Sequence, residues 1–322
     1  MLKDILILGL AIVVRTLPAQ VPVVEASELP FKLSVTSDLV LLDVSVKDAA
    51  GEHISNLSRD NFRIYEDGKL QTIAHFASDD VPVTVGLVID TSGSMRSKYD
   101  EVVTAGMVFI RASNRNDETF VVNFGDRVSR GLPDNVPFSS DLLQLRTALS
   151  WGMPAGRTAL YDAILYSLQY LEKGKCEKKA LMLVSDGGDN SSTHGPEEVA
   201  QMVRESRATI YTIGIFDAED QDRNPGLLRR LAHVSGGESF FPAQLSGVIG
   251  ICRQIANDIR TRYTIGYVPI RTGEEGSLRK IAVTASTPGG HKLVIHTRTS
   301  YILPPQDPLA GEGGMPGRKR GR

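Results

Sequence analysis

Asp90, Ser92 and Ser94 place a carboxylate and two hydroxyls at alternate positions, just where a mostly apolar run over residues 83–89 ends. A set spaced this way can aim three hard oxygens at one small cation. Two later segments supply a further hydroxyl and a second carboxylate: Thr158 in Gly156-Arg157-Thr158-Ala159-Leu160-Tyr161-Asp162, and Asp186 in Leu183-Val184-Ser185-Asp186-Gly187. An all-oxygen donor set suits Mg2+, with Mn2+ or Ca2+ as alternatives, better than zinc or copper. Two carboxylates balance a divalent charge and hydroxyls are neutral donors, so the ion would stay electrophilic toward an outside acidic group. Each residue also has a plainer role. Ser92, Ser94 and Thr158 are all suited to capping helices, and Asp186 before Gly187-Gly188 suits a turn. Their conjunction favours the cation.

The elements that must hold these residues are legible from periodicity. Strand-like runs over 83–90, 119–124, 179–185 and 208–215 alternate with helical spacing over 94–113, 158–171, 225–234 and 245–259, and Pro196 opens a further helix. Shorter strands are predicted at 127–132 and around Phe240-Phe241. This alternation specifies an α/β fold: a doubly wound, mainly parallel sheet with right-handed crossovers and helices on both faces. In such sheets ligands bind outside the carboxyl ends of the strands. Asp90 and Asp186 each end a strand, while Ser92, Ser94 and Thr158 lie in loops leading into helices, so all five converge on one crevice.

The flanks read differently. Residues 32–80 form a small β unit, with alternation over 40–46, a turn at Ala49-Ala50-Gly51-Glu52 and an Asp67-Gly68 hairpin signal whose return strand is expected over 71–76. Strands over 263–268, 278–285 and 292–298 recur after the α/β segment. Neither set can bury a face alone. The expected arrangement is a β-sandwich built from 32–80 and 262–303, with residues 81–261 inserted between its halves. Residues 1–19, with Lys3 ahead of an apolar stretch over 5–14, have the proportions of a secretory signal peptide cleaved after Ala19, which predicts a secreted or periplasmic protein. That stretch is too short for stable membrane insertion. Residues 304–322 are rich in Gly, Pro and charge and are expected to be a disordered tail.

The 322 residues are 41% hydrophobic, enough for a sizeable core, and a net charge of −2 gives no electrostatic case for nucleic acid or anionic membranes. Cys176 and Cys252 could pair in an oxidising compartment. The elements put Cys176 ahead of an inner strand and Cys252 in a late helix, where two free thiols are equally expected. The acidic stretch 217–222 lacks the glycine of an EF-hand loop and reads as solvated.

Taken in order, the Asp90-Thr91-Ser92-Gly93-Ser94, Thr158 and Asp186 segments resemble the metal-ion-dependent adhesion site of von Willebrand factor type A domains. Residues 57–68, with Asp60-Asn61-Phe62-Arg63-Ile64-Tyr65-Glu66-Asp67-Gly68, and Arg262-Tyr263-Thr264-Ile265-Gly266-Tyr267 are similar to an exported bacterial, acidobacterial-type subfamily. The resemblance covers roughly residues 35–302. It implies direct coordination by Ser92, Ser94 and Thr158, with Asp90 and Asp186 direct or through water, and a partner's carboxylate completing the shell. The partner would be a protein or matrix polymer. Where many relatives have a small residue beside the threonine, this chain has Arg157, which would sit in solvent, pair with Asp189 or meet an acidic ligand at the rim. The resemblance implies a non-enzymatic binding module, or a subunit of an envelope assembly. A metal-assisted hydrolase would want a positioned base, and the six histidines form no ligand or triad pattern.

Overall fold

Burial alternates along the flank strands Phe62–Glu66 and Leu278–Ala285 and is continuous along the middle strands Val83–Asp90 and Thr209–Gly214. The computed structural model describes residues 39–216, 222–269, 276–287, 289–290 and 292–303. The expected signal peptide, the acidic loop apart from Asp222, and the tail over 304–322 lie outside the described residues.

The N-terminal flank supplies β1 (Val40–Lys47), β2 (Phe62–Glu66), β3 (Lys69–Gln71) and β4 (Ile73–Ala77). Asp67 and Gly68 both have positive φ, 47° and 79°, as a two-residue hairpin turn between right-twisted strands requires. The return strand is shorter than predicted. Only Lys69–Gln71 pairs with β2. Past Thr72 the chain crosses to a second sheet, where Ile73 is buried and Phe76 packs against the rings of Phe62 and Tyr263, each 5.7 Å away.

The middle of the chain runs β5 (Val83–Asp90), α1 (Tyr99–Ala112), β6 (Glu118–Phe124), β7 (Val128–Arg130), α2 (Leu142–Leu149), α3 (Leu160–Leu171), β8 (Lys178–Ser185), α4 (Pro196–Glu205), β9 (Thr209–Gly214), α5 (Pro225–Ser235), β10 (Ser239–Phe240) and α6 (Ser246–Thr261). The sheet order is β10-β9-β8-β5-β6-β7, parallel throughout except for β7. All eight residues of β5 are buried, as expected of a strand covered on both faces. The chain leaves β5 toward β6 on one side and later returns to β8 on the other. The carboxyl ends of β5 and β8 therefore flank a topological switch point. Helix α2 was not predicted. Its two turns start from Asp141, whose carboxylate accepts from the Leu143 and Gln144 amides at 2.9 and 2.8 Å.

The C-terminal flank adds β11 (Tyr263–Tyr267), β12 (Leu278–Ala285), β13 (Val294–His296) and β14 (Ser300–Ile302). Strand β11 lies between β1 and β4, and β12 lies between β2 and β14, all antiparallel. Strands from both ends of the chain thus build both sheets. Leu42, Val44, Phe62, Ile64, Tyr263 and Ile265 share one core between them. Both cysteines are free, and burial pushes the Cys252 thiol up to about 12.

A buried charged cluster joins the sandwich to the α/β domain where α6 hands over to β11. The Arg262 guanidinium pairs with Asp258 at 2.9 Å and donates to the carbonyls of Gly236 (2.7 Å) and Asp43 (3.2 Å). Asp258 accepts from Ser45 Oγ at 2.5 Å and from the Tyr211 hydroxyl, and lies 3.7 Å from Lys47 Nζ. Lys47 also pairs with Glu238. Two histidines edge the cluster: His53 Nε2 is 3.5 Å from Asp258 and His296 Nε2 is 3.9 Å from Glu238. Burial lowers both imidazoles below their ordinary value, against the pull of those carboxylates and with Lys47 and Arg262 adding to the shift. A lowered folded pKa means that the unfolded chain takes up these protons first as pH falls. Stability from this cause is present above the unfolded value of about 6.5 and is lost below it. Relative to a His53→Gln/His296→Gln variant, the wild type should lose thermal midpoint between about pH 7.5 and about pH 5.5. A constant gap would show that neither imidazole titrates differently on unfolding.

Candidate metal centre

Four of the five oxygen-bearing residues meet in one hydrogen-bonded cluster at the switch point. Asp90 is the last residue of β5 and is fully buried. Its Oδ1 accepts from the Ser92 amide at 2.9 Å and its Oδ2 from Ser185 Oγ at 2.6 Å. Ser92 Oγ lies 3.1 Å from Ser94 Oγ, which donates to Asp186 Oδ2 at 2.6 Å. The Gly188 amide donates to Asp186 Oδ1 at 2.9 Å. The segment after β5 is a 3₁₀ helix over Gly93–Lys98 that passes into α1, where a continuous α-helix from Ser94 was expected. Ser92 stands at its N-cap position yet makes no side-chain cap bond. Its hydroxyl turns to the cluster instead.

Thr158 is brought alongside through the backbone. The Gly93 amide donates to the Gly156 carbonyl at 3.1 Å and the Ala155 amide to the Thr91 carbonyl at 3.0 Å. Gly156 has φ 78° and a Cβ there would fall 2.2 Å from Asp126 Oδ2, so this position demands glycine. Thr158 is buried and does not cap α3, whose N-cap residue is Ala159. Its amide is held by Asn190 Oδ1 at 3.0 Å, and among the described residues its hydroxyl has no hydrogen-bond partner.

Burial, followed by the neighbouring charge of Asp186, raises the Asp90 carboxyl to about 6. Two buried carboxylates that repel each other, with three hydroxyls beside them, form a site that a divalent cation would relieve electrostatically. The residues fit such an ion. Among the described residues no three Asp, Glu, His or Cys side chains gather to hold a metal, so a cation at this point would have to draw on the hydroxyls. Reading the sequence did not reveal the supporting layer: Ser185 on Asp90, Asn190 on Thr158, and Asp126, whose Oδ1 accepts from the Arg157 amide at 2.7 Å. The signal for Ser185 was its place immediately before Asp186.

At the rim, Arg157 is exposed and its guanidinium donates to the Asn190 carbonyl, so the pairing with Asp189 is not formed. Asp189 instead accepts from the Tyr161 amide at 3.2 Å and from Ser192 Oγ at 2.5 Å, holding the first turn of α3.

A doubly wound sheet with an aspartate–hydroxyl cluster at its switch point defines the class of protein. The chain belongs to the von Willebrand factor type A domain family, which matches residues 84–250, just over half of its length. Among solved structures it is similar to a von Willebrand factor type A protein from Catenulispora acidiphila (TM-score 0.50, 16% identity, 83% of this chain and 74% of that one). That match extends beyond the α/β domain into the flanks. It is also similar to the conserved hypothetical protein BatB from Bacteroides thetaiotaomicron (TM-score 0.43, 16% identity, 55% and 98%). A third likeness is to proximal thread matrix protein 1 from the mussel byssus, in a structure with its MIDAS motif occupied by zinc (TM-score 0.48, 16% identity, 59% and 48%). No curated protein matches the chain. Among the described residues no helix is long and apolar enough to cross a membrane.

Proposed function

We propose that this protein is an exported binding module that holds a divalent cation, Mg2+ by preference, and uses it to coordinate a carboxylate on a partner protein or matrix polymer. It acts by binding and not by catalysis. One observation carries the reading: Asp90, Ser92, Ser94 and Asp186 form a single hydrogen-bonded cluster in which Asp90 is raised to about 6 by burial and by Asp186. Nothing in a purely structural role calls for two mutually repelling carboxylates in a buried crevice. With two acidic ligands the ion is just neutralised, and hard hydroxyl donors leave it able to accept another carboxylate oxygen.

The test is calorimetric titration with Mg2+, Mn2+, Ca2+ and Zn2+ of the wild type and of an Asp90→Ala/Asp186→Ala variant. Saturable binding of one ion is expected, and the variant should lose it completely. Binding retained in the variant would overturn the site assignment. Absence of binding in the wild type, even with acetate added as a carboxylate source, would overturn the cation mechanism itself.

A further inference from the structure

Asn190 directs three of its four polar groups at Arg157 and Thr158, which enter the metal site from another loop. Its Oδ1 accepts from the Thr158 amide at 3.0 Å, its own amide donates to the Thr158 carbonyl at 3.0 Å, and its carbonyl accepts from the Arg157 guanidinium. The fourth group, Nδ2, donates to Asp222 Oδ2 at 3.4 Å. A loop asparagine commonly bonds its own backbone two residues on. This one reaches across to a residue 32 positions earlier.

The side chain is not what keeps its own loop in place. Asp189 accepts from the Tyr161 amide at 3.2 Å, and the Asp162 carboxylate accepts from the Thr193 and His194 amides at 3.0 and 3.1 Å. The loop is thus moored to the first turn of α3 on both sides of Asn190. What the Asn190 side chain fixes is the Thr158 peptide. The Thr158 carbonyl takes a second bond from the Ser191 amide at 3.0 Å, and the next amide, that of Ala159, donates to the Gly125 carbonyl at 2.8 Å. Threonine is β-branched, which restricts χ1. A fixed peptide therefore leaves its hydroxyl little choice of position.

Position matters more to one ion than to another. Mg2+ demands near-ideal octahedral geometry at about 2.0–2.1 Å, whereas Ca2+ accepts irregular shells at about 2.3–2.6 Å. A hydroxyl held in one place favours the smaller ion, and a loosened one loses that preference. We propose that Asn190 determines the ion specificity of the site: by bracketing Thr158 it makes the site select Mg2+ over Ca2+. It is a positioning residue that acts through Thr158 and is not itself a ligand. This inference rests on the cation reading above and extends it from which residues bind to what sets the choice of ion.

The experiment is calorimetric titration of the full chain with Mg2+ and, separately, with Ca2+, acetate being present in both. The wild type is compared with Asn190→Ala, Asn190→Asp and Ser192→Ala, and thermal midpoints are taken in EDTA. Asn190 is exposed, so Asn190→Ala should keep the wild-type midpoint. Its Mg2+ affinity should fall about 10–100-fold, as loss of an outer-shell partner does, and its Ca2+ affinity by less than about threefold. Asn190→Asp keeps an oxygen for the Thr158 amide and should restore the ratio of the two affinities. An added charge strengthens both ions alike, so the ratio is the readout. Ser192 Oγ donates to Asp189 Oδ1 at 2.5 Å and accepts from the Asp162 amide at 3.1 Å. Ser192→Ala therefore loosens the same loop without touching the Thr158 peptide, and should leave the ratio unchanged. Equal losses for the two ions in Asn190→Ala, a ratio that Asn190→Asp fails to restore, or a matching fall in Ser192→Ala would overturn the inference and leave the cation site standing. No binding of either ion to the wild type would overturn it together with the cation reading.

Discussion

Arg262→Ala should cost the protein about 3–5 kcal/mol, the range found when one partner of a buried ion pair is removed. Asp258 is 1% exposed. Burial alone would raise its carboxyl, but the Arg262 charge, then Lys47, and the bonds from Ser45 and Tyr211 hold it well below the usual carboxylate range. Without Arg262 that carboxylate would keep one cation, Lys47, at 3.7 Å. The Gly236 and Asp43 carbonyls would each lose a donor as well. Urea unfolding at neutral pH measures the loss. Replacing both members of the pair with apolar residues, Arg262→Met/Asp258→Leu, should recover most of it, because no unpaired charge is then left buried. The depressed Asp258 pKa sets the direction with pH. Its stabilisation is present above the unfolded value of about 3.9 and disappears as acid protonates the folded carboxylate. The joint also decides cooperativity. Arg262 and Asp258 belong to the handover from α6 to β11, while Ser45 and Lys47 belong to β1, so the sandwich and the α/β domain share this cluster. If the pair couples them, the Arg262→Ala transition should broaden or split into two steps. A loss below about 1 kcal/mol would mean that the pair behaves as a solvated surface bridge.

What the sequence revealed depends on how local each signal is. Residues 83–90 and 179–185 could be recognised as inner strands because burial on both faces requires a near-continuous apolar run. Once they were strands of a parallel sheet, Asp90 and Asp186 had to stand at one edge. The cluster at the candidate site therefore followed from strand ends alone, together with the alternate spacing of Ser92 and Ser94. The crossover at Thr72 was not legible, since alternation continues through it and only the competition between two sheets for Ile73 and Phe76 breaks the hairpin. Helix α2 spans two turns, too few for its period to stand out. The joint was invisible for another reason. Ser45 and Asp258 are 213 residues apart, and no periodicity links a hydroxyl on a flank strand to a carboxylate on a distant helix. Arg157 illustrates the same limit at the site: its partner is a backbone carbonyl, at Asn190, and carbonyls carry no sequence signature.

Asp90→Asn should act in opposite directions with and without metal, and this contrast separates a binding site from a structural one. The carboxyl is raised from its ordinary value of 3.8 to about 6 by burial and by Asp186. Each unit corresponds to about 1.4 kcal/mol, so ionising Asp90 in the folded protein costs up to about 3 kcal/mol near neutral pH. An amide avoids that cost but must place its N–H groups beside Ser185 and Ser92, so a gain of about 1–3 kcal/mol is expected in EDTA. Because the folded pKa is the higher one, the wild type regains this stability as pH falls from about 6 toward about 4, and the gap between the two proteins should close over that window. Magnesium should reverse the order. An ion at a hundred times its Kd stabilises the wild type by about 2.7 kcal/mol, whereas the variant, with one charge fewer and an amide in the first position, should gain almost nothing. Thermal unfolding of both proteins in EDTA and in Mg2+ measures all of this. If the variant is the less stable protein in EDTA, the Ser185 and Ser92 bonds to Asp90 matter more than its charge, and the carboxylate is holding the β5 turn together. If it is more stable in EDTA and unresponsive to Mg2+, the protein carries an ionised Asp90 at a cost to its own stability, and only a bound cation accounts for keeping it.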